Sequence, residues 1–238
     1  MSVLVIDIGT SGLRAAVVRP DGDVTVMHYR AMPPSSPFPG LVEFDAMAMV
    51  STAIEVAKLA LAEAGPVQAV GITNQRASTI VWDRATGVPI APGLGWQDLR
   101  TVIQCIMAKA EHGLALAPNQ SATKYGWSLD TFDAERARDL CLGTVDSWIA
   151  WTLSGGELHV TDPSNAAVTG LTAPGAHGWA DLPLEALRIA PVSLPRIVDS
   201  CGPIGPATAL EGAPPIVALV GDQQASLLGQ GCVRPGLA

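Results

Sequence analysis

The sequence is poor in basic residues, and this shortage limits the kinds of partner that the protein can bind. Only 14 of its 238 residues are lysine or arginine, they are dispersed along the chain, and the formal net charge is −8. Proteins that bind nucleic acids need clustered lysine and arginine side chains to displace counterions from the phosphates. We therefore expect no nucleic-acid partner and predict a small-molecule ligand.

Long apolar stretches are also missing. Although 48% of the residues are hydrophobic, charges, prolines or glycines interrupt every long apolar run, whereas a membrane-spanning helix needs about 20 apolar residues in succession. The amino terminus, Met1–Asp7, becomes apolar at once, but it lacks a basic segment and reaches an aspartate too early for a signal peptide. We expect no membrane partner and, by default, a cytoplasmic location.

Cysteine is scarce, and its spacing does not suggest a metal centre. The four cysteines, Cys105, Cys141, Cys201 and Cys232, form no C-x-x-C pair and have no histidine at ligand spacing. Buried free thiols are the simplest interpretation. The length suits one large α/β domain or two small ones.

Apolar runs of strand length alternate with helical patterns along the chain. Val3–Ile8, Leu13–Val18 and Asp23–Tyr29 are predicted to form a three-stranded meander. This order predicts an α/β fold with a mixed β-sheet flanked by helices, and ligands of such sheets lie at the carboxyl ends of strands. The other predicted strands are Val67–Thr73, Thr79–Trp82 and Pro215–Val220, and the predicted helices are one capped by Asp45 and ended by Gly65-Pro66, then Gln97–His112, Glu135–Leu140, Thr144–Leu153 and Asp222–Gly231.

Two aspartates lie where a predicted strand ends. Asp7 opens the segment Asp7–Ser11, whose backbone N–H groups and hydroxyls suit a phosphate and whose carboxylate suits Mg²⁺. The alternative is a plain hairpin in which Gly9 supplies a positive φ and Asp7 is merely exposed. Asp222 follows Pro215–Val220 at a helix start. It is either the helix N-cap or a base that accepts the proton of a substrate hydroxyl attacking a γ-phosphoryl group.

A second polar cluster suits a polyol. The segment Gly71–Arg76 ends a hydrophobic strand with amide and guanidinium donors, which can bind several hydroxyls. Trp96, with Trp82 nearby, offers an aromatic face of the kind that the CH surface of a sugar prefers. Taken singly, each tryptophan has an alternative role in the core, and Arg76 or Arg100 has one as a surface ion-pair partner. Together these residues indicate a site.

Seven segments in register resemble the FGGY family of carbohydrate kinases, and its glycerol kinase branch most closely. The resemblance implies that residues 1–238 are the amino-terminal domain of such a kinase, with a ribonuclease-H-like fold of the actin and hexokinase superfamily. It further implies that ATP and Mg²⁺ are used, that a sugar or polyol binds between two domains, and that the carboxy-terminal nucleotide-binding domain is absent. The segments are Val5–Ser11, Gly71–Arg76, Thr79–Asp83, Trp96-Gln97, Gly143–Trp148, His159–Asp162 and Gly221–Gln224.

The resemblance also implies roles for individual residues. Asp222 corresponds to the general base, and Asp7 to the residue that assists Mg²⁺ binding. The residues implied on the phosphate and nucleotide side are Asp7, Gly9, Thr10, Ser11 and Arg14, and those implied on the acceptor side are Gln75, Arg76, Trp96, Asn119, Asp222 and Gln223.

Two residues depart from the glycerol kinase pattern. Ala77 stands where those enzymes carry a glutamate, and Asn119 where they carry a tyrosine, and both family residues contact glycerol hydroxyls. Since a hydrogen bond to a charged group contributes roughly 1.5–3 kcal/mol, we expect weaker binding of glycerol. Two alternatives are therefore left open: the acceptor is another polyol or a sugar, or the domain has lost its activity.

Three functions follow from these observations. The first is half of an ATP-dependent sugar or polyol kinase, which acts only with a second domain. The second is a non-catalytic domain that binds a sugar or a protein, which Ala77, Asn119 and the missing half favour. The third, an ATPase without an acceptor, fits Gly221–Gln224 less well. Assembly into a homo-oligomer is left open.

Overall fold

A computed structural model describes residues 1–237 of the protein. The strands are β1 (Val3–Ile8), β2 (Gly12–Val18), β3 (Val24–Ala31), β4 (Glu43–Phe44), β5 (Ala69–Asn74), β6 (Thr79–Asp83), β7 (Gly93–Leu94), β8 (Leu140–Thr144), β9 (Val160–Thr161), β10 (Arg196–Ile197), β11 (Cys201–Pro206) and β12 (Pro215–Gly221). The helices are α1 (Ala46–Ala64), α2 (Val102–His112), α3 (Ala122–Phe132), α4 (Val145–Leu153), α5 (Pro163–Ala166), α6 (Asp181–Ala186) and α7 (Asp222–Gly229), with a 3₁₀ turn at Pro191–Ser193.

The main sheet has six strands in the order β11-β12-β5-β1-β2-β3. The meander β1-β2-β3 is antiparallel, β5 runs parallel to both β1 and β12, and β11 closes the sheet as an antiparallel edge. A smaller sheet has the order β4-β7-β6-β8, and β9 pairs with β10. The predicted α/β fold with a mixed sheet is confirmed.

Among the described residues, the larger of two hydrophobic clusters lies between the six-stranded sheet and the helices α1 and α4, and the smaller includes Tyr125 of α3 and Leu142 of β8. Every second residue of β1 faces these helices, so Leu4, Ile6 and Ile8 are fully buried. The carboxylate of Asp45 caps α1 by accepting the N–H of Ala48 at 2.9 Å, as predicted. Helix α1 packs on the meander and α4 on β5 and β12, which fixes the carboxyl ends of β1, β5 and β12 side by side.

One predicted helix begins too early, and another is absent. Gln97–His112 is helical only from Val102, because the buried carboxylate of Asp98 accepts N–H groups from Val42 and Arg100 and holds the preceding residues in turns. Glu135–Leu140 contains no helix. There the carboxylate of Asp133 accepts the N–H groups of Ala137 and Arg138 and closes a loop.

Helix α2 presents its apolar side to solvent. Ile103 and Ile106 are 69% and 64% exposed, whereas the only buried residues of the helix are Cys105 and Ala108. A hydroxyl bond from Thr123 to Thr101, 2.8 Å long, holds its amino-terminal end on α3.

Two further expectations concern the burial of the cysteines and the presence of membrane-spanning helices. All four cysteines are free, but only Cys105 and Cys141 are buried, Cys232 is half-buried and Cys201 is exposed, so the prediction of buried thiols is right for two of them. Among residues 1–237, no helix combines the length and the apolar character that crossing a bilayer requires.

Candidate active site

Asp7 lies near the end of β1, opposite Arg14 on β2. Its Oδ2 is 3.5 Å from Nε of Arg14. Burial raises the pKa of Asp7, the guanidinium of Arg14 opposes this, and the carboxylate of Asp222 raises it further. The two aspartates are therefore close enough to interact electrostatically.

The turn after β1 is tight but does not need a left-handed glycine. The N–H of Gly9 donates to the carbonyl of Gly12 at 3.0 Å, and Gly9 is not among the residues with positive φ. The positive φ that the plain-hairpin alternative assigned to this residue is therefore wrong. Thr10 and Ser11 complete the turn, with Thr10 half-buried and Ser11 exposed.

Asp222 is the first residue of α7, not its N-cap. Gly221 occupies the N-cap position, and the Oδ1 of Asp222 accepts only the N–H of the adjacent Gln223, at 2.8 Å. This carboxylate therefore does not cap the helix in the usual way, by accepting an N–H of the second or third helical residue. It remains half-buried at the carboxyl end of β12, separated from Asp7 by the single strand β5.

Arg76 follows β5 and reaches across to the strand end that carries Asp222. Its Nη1 donates to the carbonyl of Ser164 at 3.2 Å, and its Nη2 donates to Oε1 of Gln223. Its Nε is buried and has no hydrogen-bond partner among the described residues. Gly221 leaves room for this side chain, because a Cβ there would lie 2.3 Å from Cδ of Arg76.

Trp96 is fixed on three sides and remains 39% exposed. Its indole Nε1 donates to Oγ1 of Thr10 at 3.2 Å, and its backbone N–H donates to Oγ of Ser78 at 3.0 Å. Ser78 in turn donates to Oε1 of Gln75, and Nζ of Lys124 donates to the carbonyl of Trp96 at 3.4 Å. The tryptophan thus connects the turn after β1 with the strand end of β5.

One cleft of about 240 Å³ brings together all six acceptor-side candidates and Thr10. Two residues that the sequence did not single out as ligands, Ala77 and Val168, complete it. Ala77 is buried in the left-handed conformation, with φ of 63°. The other phosphate-side candidates do not line this cleft but lie on and beside the turn after β1; they are Asp7, Gly9, Ser11 and Arg14. The lining residues are Thr10, Gln75, Arg76, Ala77, Trp96, Asn119, Val168, Asp222 and Gln223.

Three residues that shape the cleft were not predicted. Ser78 and Lys124 support Trp96, and Ser164 supports Arg76. Lys124 is fully buried, and burial lowers its pKa to about 8. Trp82, by contrast, is fully buried against Trp148, with ring centroids 5.1 Å apart, which is its alternative role in the core. Arg100 forms ion pairs, with Asp98 at 2.8 Å and with Glu43, but its side chain is only 10% exposed, so these are not the surface pairs of its alternative role.

The donor set near Asp7 suits a magnesium ion that is carried by phosphates. Among the described residues, no three or more His, Cys, Asp or Glu side chains cluster as a metal site would require. Mg²⁺, however, commonly binds proteins through one or two carboxylates together with substrate phosphates and waters. Asp7, half-buried beside a single cation, fits that use.

The strand order and the crossover helices define a mixed α/β domain, with a cleft at the ends of parallel strands. Comparison with known proteins narrows this class. Residues 2–229 match the model of the amino-terminal domain of the FGGY family of carbohydrate kinases, and the chain belongs to that family.

The similar proteins include many glycerol kinases. The chain is 42% identical to the glycerol kinase of Aromatoleum aromaticum over 255 residues and 40% identical to that of Deinococcus radiodurans over 254, in each case across 99% of this chain and 51% of the relative. The chain thus spans about half the length of the curated relatives it matches.

Solved structures agree in fold. The glycerol kinase of Plasmodium falciparum with ADP superposes with a TM-score of 0.88, at 22% identity, over 97% of this chain and 50% of that one. The xylulose kinase of Rhodospirillum rubrum gives 0.88 at 22% identity, over 99% and 52%.

Proposed function

We propose that this domain supplies the acceptor site and the general base of an ATP-dependent kinase that phosphorylates a hydroxyl of a sugar or polyol. The observation that carries the proposal is the pair Asp7 and Asp222, at the carboxyl ends of β1 and β12, with the acceptor-side cleft beside them. Transfer from a metal-bound phosphate to a hydroxyl requires a carboxylate for the metal, which Asp7 would supply from beside the cleft, and a base, which Asp222 would supply from its lining.

In this mechanism Asp222 accepts the proton of the attacking hydroxyl. Arg76 and Gln223, which bond to each other, orient the acceptor hydroxyls, and the exposed face of Trp96 contacts its CH groups. Asp7 would hold Mg²⁺, with Arg14, Thr10 and Ser11 near the phosphates, whereas the N–H of Gly9 is already donated to the carbonyl of Gly12. Mg·ATP supplies the γ-phosphoryl group and neutralises its developing charge.

The acceptor is proposed to differ from glycerol. Ala77 carries only a methyl group and Asn119 is exposed, so the cleft has neither the carboxylate nor the phenol expected of a glycerol kinase. Both substitutions leave room, which favours a larger polyol or a sugar.

Activity is proposed to need a second domain of the kind that completes the relatives. The cleft described here is open on one side, and a closing domain would exclude water and add contacts to the nucleotide. A cytoplasmic location and assembly into a homo-oligomer stay predictions.

A coupled ADP-release assay with a panel of polyols and sugars tests the proposal. It compares the chain alone with the chain extended by the polypeptide encoded downstream. We expect turnover only in the extended protein, and we expect Asp222→Asn to lower kcat by about 10²–10⁴-fold, because general-base assistance is of that size. Turnover that persists in Asp222→Asn at the wild-type rate would refute the assignment of the base.

A second candidate is a binding domain without catalysis, which Ala77 and Asn119 favour. Calorimetric titration separates the two functions. Acceptor binding that Mg·ATP strengthens supports the kinase, whereas acceptor binding that is indifferent to Mg·ATP supports the binding domain.

A further inference from the structure

A buried polar cluster lies directly behind the cleft, and apart from the support that Ser164 gives to Arg76 its residues have no role assigned so far. It consists of Asn74, Asp162, Ser164 and Asn165, of which all but Ser164 are fully buried. The cluster joins the ends of β5 and β12 through the short helix α5.

Ser164 contacts both functional elements of the acceptor side. Its Oγ accepts the N–H of Gly221, the residue before Asp222, at 2.8 Å. Its carbonyl oxygen accepts Nη1 of Arg76 at 3.2 Å. A single residue is therefore bonded to the backbone that carries the base and to the guanidinium of the acceptor site.

Asp162 fixes the orientation of Ser164. Its carboxylate accepts the hydroxyl of Ser164 at 2.9 Å and its N–H at 3.1 Å. It also accepts the side chain of Asn165 at 2.9 Å and the hydroxyl of Ser200 at 2.6 Å. Because the Ser164 hydroxyl donates its only proton to Asp162, its lone pairs point away from the carboxylate, and one of them accepts the N–H of Gly221.

Asn74 connects this arrangement to β5. The side-chain amides of Asn74 and Asn165 bond reciprocally, at 2.9 and 3.2 Å. Asn74 is the last residue of β5, and Arg76 lies two residues further on. The cluster therefore holds the backbone before Arg76 through Asn74 and the guanidinium of Arg76 through Ser164, which links the arginine to Gly221.

We propose that Ser164, oriented by Asp162, is a positioning residue that sets the distance between the base Asp222 and the guanidinium of Arg76. The proposal rests on the proposed function, since it explains how base and acceptor site keep their relative position. Small displacements matter here, because a shift of about 1 Å in a reacting group can lower a rate by about 10²-fold.

Ser164→Ala tests this, with Ser200→Ala as the matched control. Both serines donate a hydroxyl to Asp162, but only that of Ser164 accepts the N–H of Gly221, and alanine leaves the carbonyl that bonds to Arg76 in place. In the extended protein we expect Ser164→Ala to lower kcat at least 10-fold and to raise the KM of the acceptor, with the KM of ATP unchanged. Ser200→Ala should change each constant less than 3-fold, and Ser164→Thr, which keeps the hydroxyl, should recover most of kcat. Equal losses in the two alanine variants, or no recovery by threonine, would overturn the proposal.

A second readout does not depend on turnover. Amide hydrogen exchange in the 238-residue chain should be at least 10-fold faster at Gly221 in Ser164→Ala than in the wild type and unchanged in Ser200→Ala. Unchanged exchange in both variants overturns the proposal. If the wild type phosphorylates nothing while the exchange result holds, the proposed function fails and the connection between Ser164 and Gly221 stands.

Discussion

Replacing Gly221 by alanine tests whether the acceptor cleft depends on the position of Arg76. The backbone at this residue, with φ of −60° and ψ of 145°, suits alanine, so no strain arises from the main chain. The new Cβ, however, would lie 2.3 Å from Cδ of Arg76, whereas carbon atoms in contact are about 3.5–4.0 Å apart. The arginine must therefore move by about 1 Å or more.

A shift of that size breaks the bonds that orient the guanidinium. The bond from Arg76 to the carbonyl of Ser164, already 3.2 Å long, exceeds hydrogen-bond range after such a movement. Hydrogen bonds to charged groups contribute about 1.5–3 kcal/mol each, so we expect the acceptor to bind about 10–150-fold more weakly. The free energy of unfolding should change by less than about 1 kcal/mol, because a flexible side chain yields and alanine lowers the entropy of the unfolded chain.

Titration calorimetry with the acceptor measures the first quantity and urea unfolding the second. Gly71→Ala is the control, since a Cβ there meets Ala218 at an ordinary 3.8 Å. Gly221→Ala with wild-type affinity would refute the role of Arg76 in the cleft. A Gly221→Ala protein destabilised by several kcal/mol would refute the expectation that the arginine yields.

Two further predictions concern the interior. Gly143→Ala should lower the free energy of unfolding by about 1–3 kcal/mol, because the new Cβ would lie 2.6 Å from Cη2 of the fully buried Trp82. Urea unfolding measures this change. A change of less than about 0.5 kcal/mol, the size expected of a neutral surface substitution, would contradict the prediction. Burial lowers the pKa of Lys124 from 10.5 to about 8, so the unfolded chain binds more protons between these values and stability should rise with pH by about 3 kcal/mol. Lys124→Met lacks the titrating group, so its free energy of unfolding should not show this rise with pH. If the free energies of unfolding of the two proteins changed with pH in parallel, the prediction would be contradicted.

The sequence allowed the strand ends of the site to be predicted because their signals are local. An aspartate at the end of an apolar run, as at Asp7 and Asp222, needs only a few neighbouring residues to be recognised, and so does the polar segment that ends with Arg76. Ser164 carries no such signal, because its role arises from contacts with residues 57 and 88 positions away. Only the folded chain brings these residues together.

The errors in the fold have a similar cause. Helix α3 was not predicted because it is buried around most of its circumference and includes polar residues such as Lys124 and Ser128, which removes the apolar periodicity. The false helix at Glu135–Leu140 arose from helix-forming residues that the carboxylate of Asp133 instead holds in a loop.

The outward apolar face of α2 makes this helix one of the parts of the domain that should open most easily. The buried residues of this helix are small, and within residues 1–237 its side-chain hydrogen bonds are those of Thr101 and Cys105 to Thr123, so its detachment should expose little additional apolar surface and have a low free-energy cost. The opening should stop at the residues before the helix, where Arg100 pairs with Asp98 and Glu43 and its guanidinium lies 4.5 Å from the ring centroid of Trp127. We therefore expect fluctuations of α2 to leave Trp96 and the shape of the cleft unchanged.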